Sequence, residues 1–213
     1  AFFVSVTGFF IAYLIVPPFI ATLAMMEIVY GINMIFTNAT PLGGYVTEYT
    51  NVASGRFLGI SYLIWIAIIV AAITWFIFNM TRHGKYMYAV GGNPQAAEVA
   101  GVPVKTTLIL IYMKAAAMYG LAGFMLGAKA GGASVNLGLG YEMEAIAACT
   151  IGGVSVTGGR GRVTSAIVGV TVFELLKLAL QYLGMDANAQ WIAIGIVIFI
   201  AISLDIRKYI AKK

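Results

Sequence analysis

Long apolar runs separated by short polar stretches constrain this chain more than any single motif. Runs at about 1 to 16, 19 to 36, 61 to 78, 106 to 127, 163 to 182 and 191 to 204 carry few charges or none. A helix rises 1.5 Å per residue, so about 20 residues are needed to cross a hydrocarbon layer of about 30 Å. Backbone groups find no water there, which makes helices the natural form of such runs. Of the 213 residues 61% are hydrophobic and 10% charged, against about 25% charged in an ordinary soluble domain. The expected fold is all-α: a polytopic transmembrane helix bundle, one domain over 1 to 213, with about six spans of which one is short or broken.

Punctuation sets the boundaries. Pro17-Pro18 ends the first run, because proline lacks a backbone donor and drives the residue before it out of helix. The stretch from Thr37 to Gly59, rich in Thr, Asn, Gly and Tyr, reads as a loop. Ala128 to Tyr141 is Gly-rich, residues 142 to 156 are too few for a full crossing, and 157 to 162 reads Thr-Gly-Gly-Arg-Gly-Arg; a broken or re-entrant element is expected there. Ala1-Phe2-Phe3-Val4 already reads as the middle of an apolar segment without a charged leader, so further sequence is expected before it.

The net charge of +5 does not point to nucleic acid. Basic residues gather in short stretches between apolar runs and form no polar face. Lys and Arg are enriched in cytoplasmic loops. If every segment crosses, Arg82, Lys85, Lys105, Arg160, Arg162, Arg207, Lys208, Lys212 and Lys213 all fall on that side, and only Arg56 and Lys129 fall opposite. The loops at 37 to 59, 128 to 141 and 183 to 190 then face outward, and the C-terminus is cytoplasmic. The single cysteine, Cys149, permits no internal disulfide and sits in an apolar run as a small packed thiol.

Gly123, Gly127 and Gly131 recur every four residues on the 106 to 127 span. They line one helical face, where they admit a neighbouring backbone or serve as a hinge. Cytoplasmic residues 80 to 105 contain the densest local grammar, Gly91-Gly92-Asn93-Pro94-Gln95-Ala96-Ala97-Glu98-Val99-Ala100-Gly101-Val102-Pro103. Asn93 suits an N-cap, Pro94 the first helical position, Gly101 a left-handed stop, and Pro103 prevents resumption. A helix of about two turns, Asn93 to Ala100, is expected, held by packing on its own domain or on a partner because two turns are marginal alone.

Four ionisable residues fall inside apolar runs: Glu27, Lys114, Glu174 and Lys177. Such groups are costly in lipid and face the bundle interior. Glu174 and Lys177, three apart, can pair on one helix. Glu27 shares a face with Tyr30, Gly31 and Met34; with Asn33 nearby, Glu27 and Tyr30 are candidates for a sugar path, with plain packing as the alternative. Glu142 and Glu144 point to different sides of a helix and are expected to cap the outer end of the short segment. Catalytic and nucleotide motifs are missing. Gly84-Lys85 is followed by Tyr86, which does not fit a phosphate-binding loop, and Gly138-Leu139-Gly140 lacks the third glycine of a dinucleotide site. His83 is the only histidine, which excludes metal sites built on paired histidines.

The 91 to 102 segment, Glu142-Met143-Glu144-Ala145-Ile146-Ala147-Ala148, Ile151-Gly152-Gly153-Val154-Ser155 and Gly158-Gly159-Arg160-Gly161, in that order, closely resemble the ribose/galactose-type ABC permease family. Pro18-Phe19-Ile20-Ala21-Thr22-Leu23 and Tyr30-Gly31-Ile32-Asn33 extend the likeness upstream, and the galactose/methyl-galactoside members look most similar. The resemblance implies several spans before Ala1 and a permease subunit of a sugar importer in the cell inner membrane. Its partners would be an ATPase subunit, a second permease subunit in a homodimer, an external sugar-binding protein, the sugar and membrane lipid. No cofactor would bind this chain, with ATP and Mg on the partner ATPase. The resemblance also makes Asn93, Pro94, Gln95, Ala96, Ala97, Glu98, Ala100 and Gly101 the coupling helix that docks on the ATPase. The outward loops at 37 to 59 and 128 to 141 would meet the binding protein. The family usually carries an apolar residue where Glu27 stands, so a shared role for this carboxylate is not implied. An ion-coupled secondary transporter using Glu27 or Glu174 is the alternative from another class.

Overall fold

The computed structural model describes residues 2 to 210. Lys212 and Lys213 lie outside the described residues, as does the side chain of Lys208. Ten helices follow one another among the described residues: α1 (Phe2–Leu14), α2 (Pro18–Thr37), α3 (Thr47–Ser54), α4 (Tyr62–Met80), α5 (Arg82–Gly92), α6 (Pro94–Val99), α7 (Val104–Ala130), α8 (Tyr141–Ile151), α9 (Val163–Tyr182) and α10 (Ala187–Ile210). Among the described residues strands occur as two-residue pairs, β1 (Leu42–Gly43) with β4 (Gly132–Ala133) and β2 (Arg56–Phe57) with β3 (Ile60–Ser61), both antiparallel. Four described helices, α2, α4, α7 and α9, are long and apolar enough to cross a membrane. The apolar stretches of α1 and of Asn188–Ser203 within α10 are shorter.

The chain divides into two compact units, Ala1–Ile73 with Ala97–Gly138, and Thr74–Ala96 with Leu139–Lys213. In the first, α1 lies along α7. Thr7, Gly8, Ile11 and Ala12 form the buried stripe of α1, the spacing of one helical face. The contact is tight at Gly8, where a methyl group would stand 2.6 Å from Cβ of Tyr112. Lys105 Nζ stands 5.2 Å from the Tyr13 ring centroid, a cation–π contact. Pro17-Pro18 acts as expected: α1 ends at Leu14 and Pro18 occupies the first turn of α2.

The glycine series on α7 divides its labour. Gly127 admits Tyr49 of α3, whose hydroxyl donates to the Phe124 carbonyl at 2.6 Å while the two rings meet edge to face. Gly131 is the left-handed C-cap of α7, and Gly123 has open space around it. The helix received at this face is therefore the short polar α3. The 37 to 59 stretch, expected as a loop, contains this helix because Tyr49 and Ala53 gain burial and contact against α7, a tertiary gain that its polar sequence does not advertise.

In the second unit α8, α9 and α10 surround a core of Ala147, Ala148, Phe173 and Ile194, joined by Ile151 and Ile198. Alanine and glycine let α8 and α9 approach to backbone contact: a side chain on Gly169 would run into the Ala148 carbonyl and the backbone of Gly152. The short 142 to 156 segment is helix α8, followed by a tight turn up to Arg162, so its shortened character is present in the structure.

Candidate functional site

Residues 80 to 105 hold two helices where the sequence suggested one. Thr81 opens α5 by accepting from Gly84 N–H at 3.1 Å, and Gly84 fits against the carbonyls of Ile77 and Phe78 at the end of α4. Tyr88 stacks edge to face on Phe78 and donates to the Gly161 carbonyl at 2.8 Å. Three glycines and a polar composition hide this helix from a reading based on apolar periodicity. Its cap and its tertiary contacts form it.

Asn93 serves both helices. Its backbone N–H bonds to the Ala89 carbonyl at 3.0 Å and closes α5, while its side-chain oxygen accepts from Ala96 N–H at 3.0 Å and opens α6. Pro94 takes the first position of α6. At the far end Gly101 adopts φ +81°, Gly101 N–H bonds to Glu98 at 2.9 Å and Val102 N–H to Ala97 at 3.0 Å. These are the paired bonds of a Schellman stop. Six residues thus form a helix with both ends satisfied, Pro94 to Val99, close to the expected Asn93 to Ala100.

Ala97 is buried, 5% exposed, while Val99 is 92% exposed. Pro94, Gln95, Ala96, Glu98 and Ala100 are exposed with it. Ala97 therefore faces its own chain and Val99 presents an apolar side chain outward.

The charges on α8 and α9 are arranged more tightly than sequence spacing showed. Lys177 does meet Glu174, at 3.6 Å, but its nearer partner is Glu144 of α8, at 2.8 Å. Of the two carboxylates expected to cap this end, Glu142 does so, accepting from Gly140 N–H at 3.1 Å, while Glu144 is taken up by Lys177. Residues two apart on α8 diverge, and α9 packs on the side where Glu144 points. The signal available was that a lone lysine in an apolar run needs a carboxylate, without any indication of which one.

Of the sugar-path candidates, Tyr30 donates to the side-chain oxygen of Asn136 at 3.2 Å. Glu27 and Asn33 are exposed on α2. Leu42 and Gly43 pair with Ala133 and Gly132, so the 37 to 59 and 128 to 141 loops are stitched together within the first unit.

The chain matches the profile of the family "Branched-chain amino acid transport system / permease component" over residues 1–202, and it belongs to that family. The galactose/methyl galactoside import permease protein MglC of Escherichia coli (strain K12) is 42% identical over 215 residues, covering 98% of this chain and 64% of the relative. That of Haemophilus influenzae is 41% identical with the same coverage. The ribose import permease protein RbsC of Escherichia coli (strain K12) is 36% identical over 208 residues, covering 96% of this chain and 65% of the relative. The chain spans less than two thirds of the length of these relatives. These two groups are those the motif residues resembled. No solved structure gives a significant match.

Proposed function

We propose that the chain forms part of the membrane-spanning permease subunit of an ATP-driven ABC importer, which passes galactose, a methyl galactoside or a related aldose across the inner membrane by alternating access. The names of its relatives support the sugar. The observation that carries the coupling role is helix α6, capped at both ends, seated through Ala97 and offering Val99 to a partner. An exposed apolar side chain on a rigid loop helix is the anchor a docking partner buries. The partner is the ATPase subunit, which holds ATP and Mg; the chain itself binds no cofactor and performs no covalent chemistry. A second permease subunit and an external sugar-binding protein complete the assembly, the latter meeting the 37 to 59 and 128 to 141 loops.

The proposed topology is a single permease domain of about six full spans, α1 and the shorter apolar stretch of α10 included, with the short α8 carrying the chain across once more so that the C-terminus is cytoplasmic. Two contacts support it. The basic loops at 80 to 105 and 157 to 162 touch through Tyr88 and Gly161, and the two loops assigned to the opposite side touch through β1 and β4. Glu27, Tyr30 and Asn33 remain candidates for the sugar path.

The test is reconstitution of the full-length subunit with its ATPase and binding protein in vesicles. Uptake should require ATP; uptake that proceeds without ATP and collapses with an ion gradient would overturn the reading in favour of an ion-coupled carrier. Val99→Arg should abolish uptake while leaving the membrane fold intact, because the wild-type side chain touches almost nothing in its own chain. Normal uptake by Val99→Arg would remove α6 from the ATPase interface.

A further inference from the structure

The α5–α6 junction is not free-standing, and what holds it is the turn between α8 and α9. Residues 155 to 161 fold on themselves: Ser155 N–H bonds to the Arg160 carbonyl at 3.1 Å, Gly158 N–H to the Ser155 carbonyl at 3.3 Å, and the hydroxyls of Ser155 and Thr157 meet at 2.9 Å. Gly158, Gly159 and Gly161 take φ values of +94°, +70° and +137°, a left-handed run that residues bearing a Cβ resist. Contact with the end of α5 is backbone on backbone. A methyl group on Gly91 would lie 2.7 Å from Gly159 N, and one on Gly159 would lie 2.6 Å from Gly92 Cα. Tyr88 completes the seat through its bond to the Gly161 carbonyl. Asn93, which opens α6, follows two residues after Gly91.

We propose that the 155 to 161 turn is the seat of the coupling helix, a positioning element that fixes where α6 begins and ties it to the α8–α9 pair. The proposal rests on the coupling reading of α6. Movement imposed on α6 by a partner then reaches α8 and α9 directly, since Gly91 and Gly159 leave no side-chain layer to absorb it. The side chains of Arg160 and Arg162 stand exposed beside this turn.

A matched pair of glycines tests this. Gly91 and Gly92 both close α5, and alanine favours helix at either position. A methyl group on Gly92, however, meets nothing within 4 Å, whereas one on Gly91 drives into Gly159. In the reconstituted complex, sugar transported per ATP hydrolysed should fall about fivefold or more in Gly91→Ala. Gly92→Ala should keep the wild-type ratio. Tyr88→Phe, which keeps the ring on Phe78, should fall in the same direction by a smaller factor. Assembly is followed separately by the yield of a disulfide between Gln95→Cys and a cysteine on the ATPase. A Gly91→Ala complex that assembles but transports poorly per ATP supports the seat. Equal ratios for Gly91→Ala and Gly92→Ala overturn it. If Val99→Arg has no effect, the coupling reading itself fails; if Val99→Arg abolishes uptake while Gly91→Ala and Tyr88→Phe do not alter the ratio, only the seat fails.

Discussion

Lys177 of α9 reaches across to Glu144 of α8 at 2.8 Å and keeps Glu174, on its own helix, at 3.6 Å. The shorter bond is the one between helices. It is also the less exposed of the two pairs, so its loss costs more than its local neighbour's.

Lys177→Met should destabilise the subunit by about 1 to 3 kcal/mol, because Glu144 is left half-buried without a counter-ion. Glu174→Gln should cost less than about 0.5 kcal/mol, as expected of an exposed pair on one helix. The double variant Lys177→Met, Glu144→Met should recover most of the loss. Thermal unfolding in detergent measures all three; single effects that simply add would show that the bridge is not coupled.

The α1–α7 interface yields a second matched pair. Gly8→Ala should destabilise by about 1 to 3 kcal/mol through overpacking against Tyr112. Gly31→Ala, with nothing within 4 Å of the added methyl, should be neutral or stabilising by up to about 1 kcal/mol from helix propensity. Opposite signs in the same unfolding assay are the expected result, and a stable Gly8→Ala would mean that α1 does not pack on α7 at this point.

Tyr49→Phe removes the hydroxyl that donates to the Phe124 carbonyl. The cost should be about 1 kcal/mol, local to α3. Trypsin cleavage after exposed Arg56, the basic residue of the adjoining β2, should then quicken about fivefold through more frequent opening of this loop. An unchanged cleavage rate would detach α3 from the stability of the loop.

Sidedness can be read by chemical labelling. In a Cys149→Ala background, Glu48→Cys should react with a membrane-impermeant maleimide from outside, and Arg160→Cys only after the cytoplasmic face is opened. Both wild-type side chains are exposed. Labelling of both positions from one side would refute the proposed crossing pattern.

The sequence was most readable where one physical rule acted alone. The run at 163 to 182 emerged as α9 with the same bounds, since lipid-length apolarity decides it. Asn93, Pro94 and Gly101 specified α6 through capping chemistry that needs only near neighbours. Legibility failed where a distant residue decides. Nothing local to Tyr88 announces Gly161, and nothing near Lys177 distinguishes Glu144 from Glu142. Helix α5 was hidden for the same reason, as its glycines weaken helix propensity and its support comes from Phe78 and the turn at 155 to 161. Nothing local to α6 tells which of Ala97 and Val99 is buried; only the fold turns one inward and the other out.

The pairing of Leu42 with Ala133 bears on how the chain is made. A ribosome adds about 5 to 20 residues per second, so Leu42 emerges several seconds before its partner exists. During that interval β1 has an open edge and α3 has no α7 to rest on. The 37 to 59 stretch is therefore finished late, only after α4 and α7 have been made, and a stall between them would leave it open to proteases.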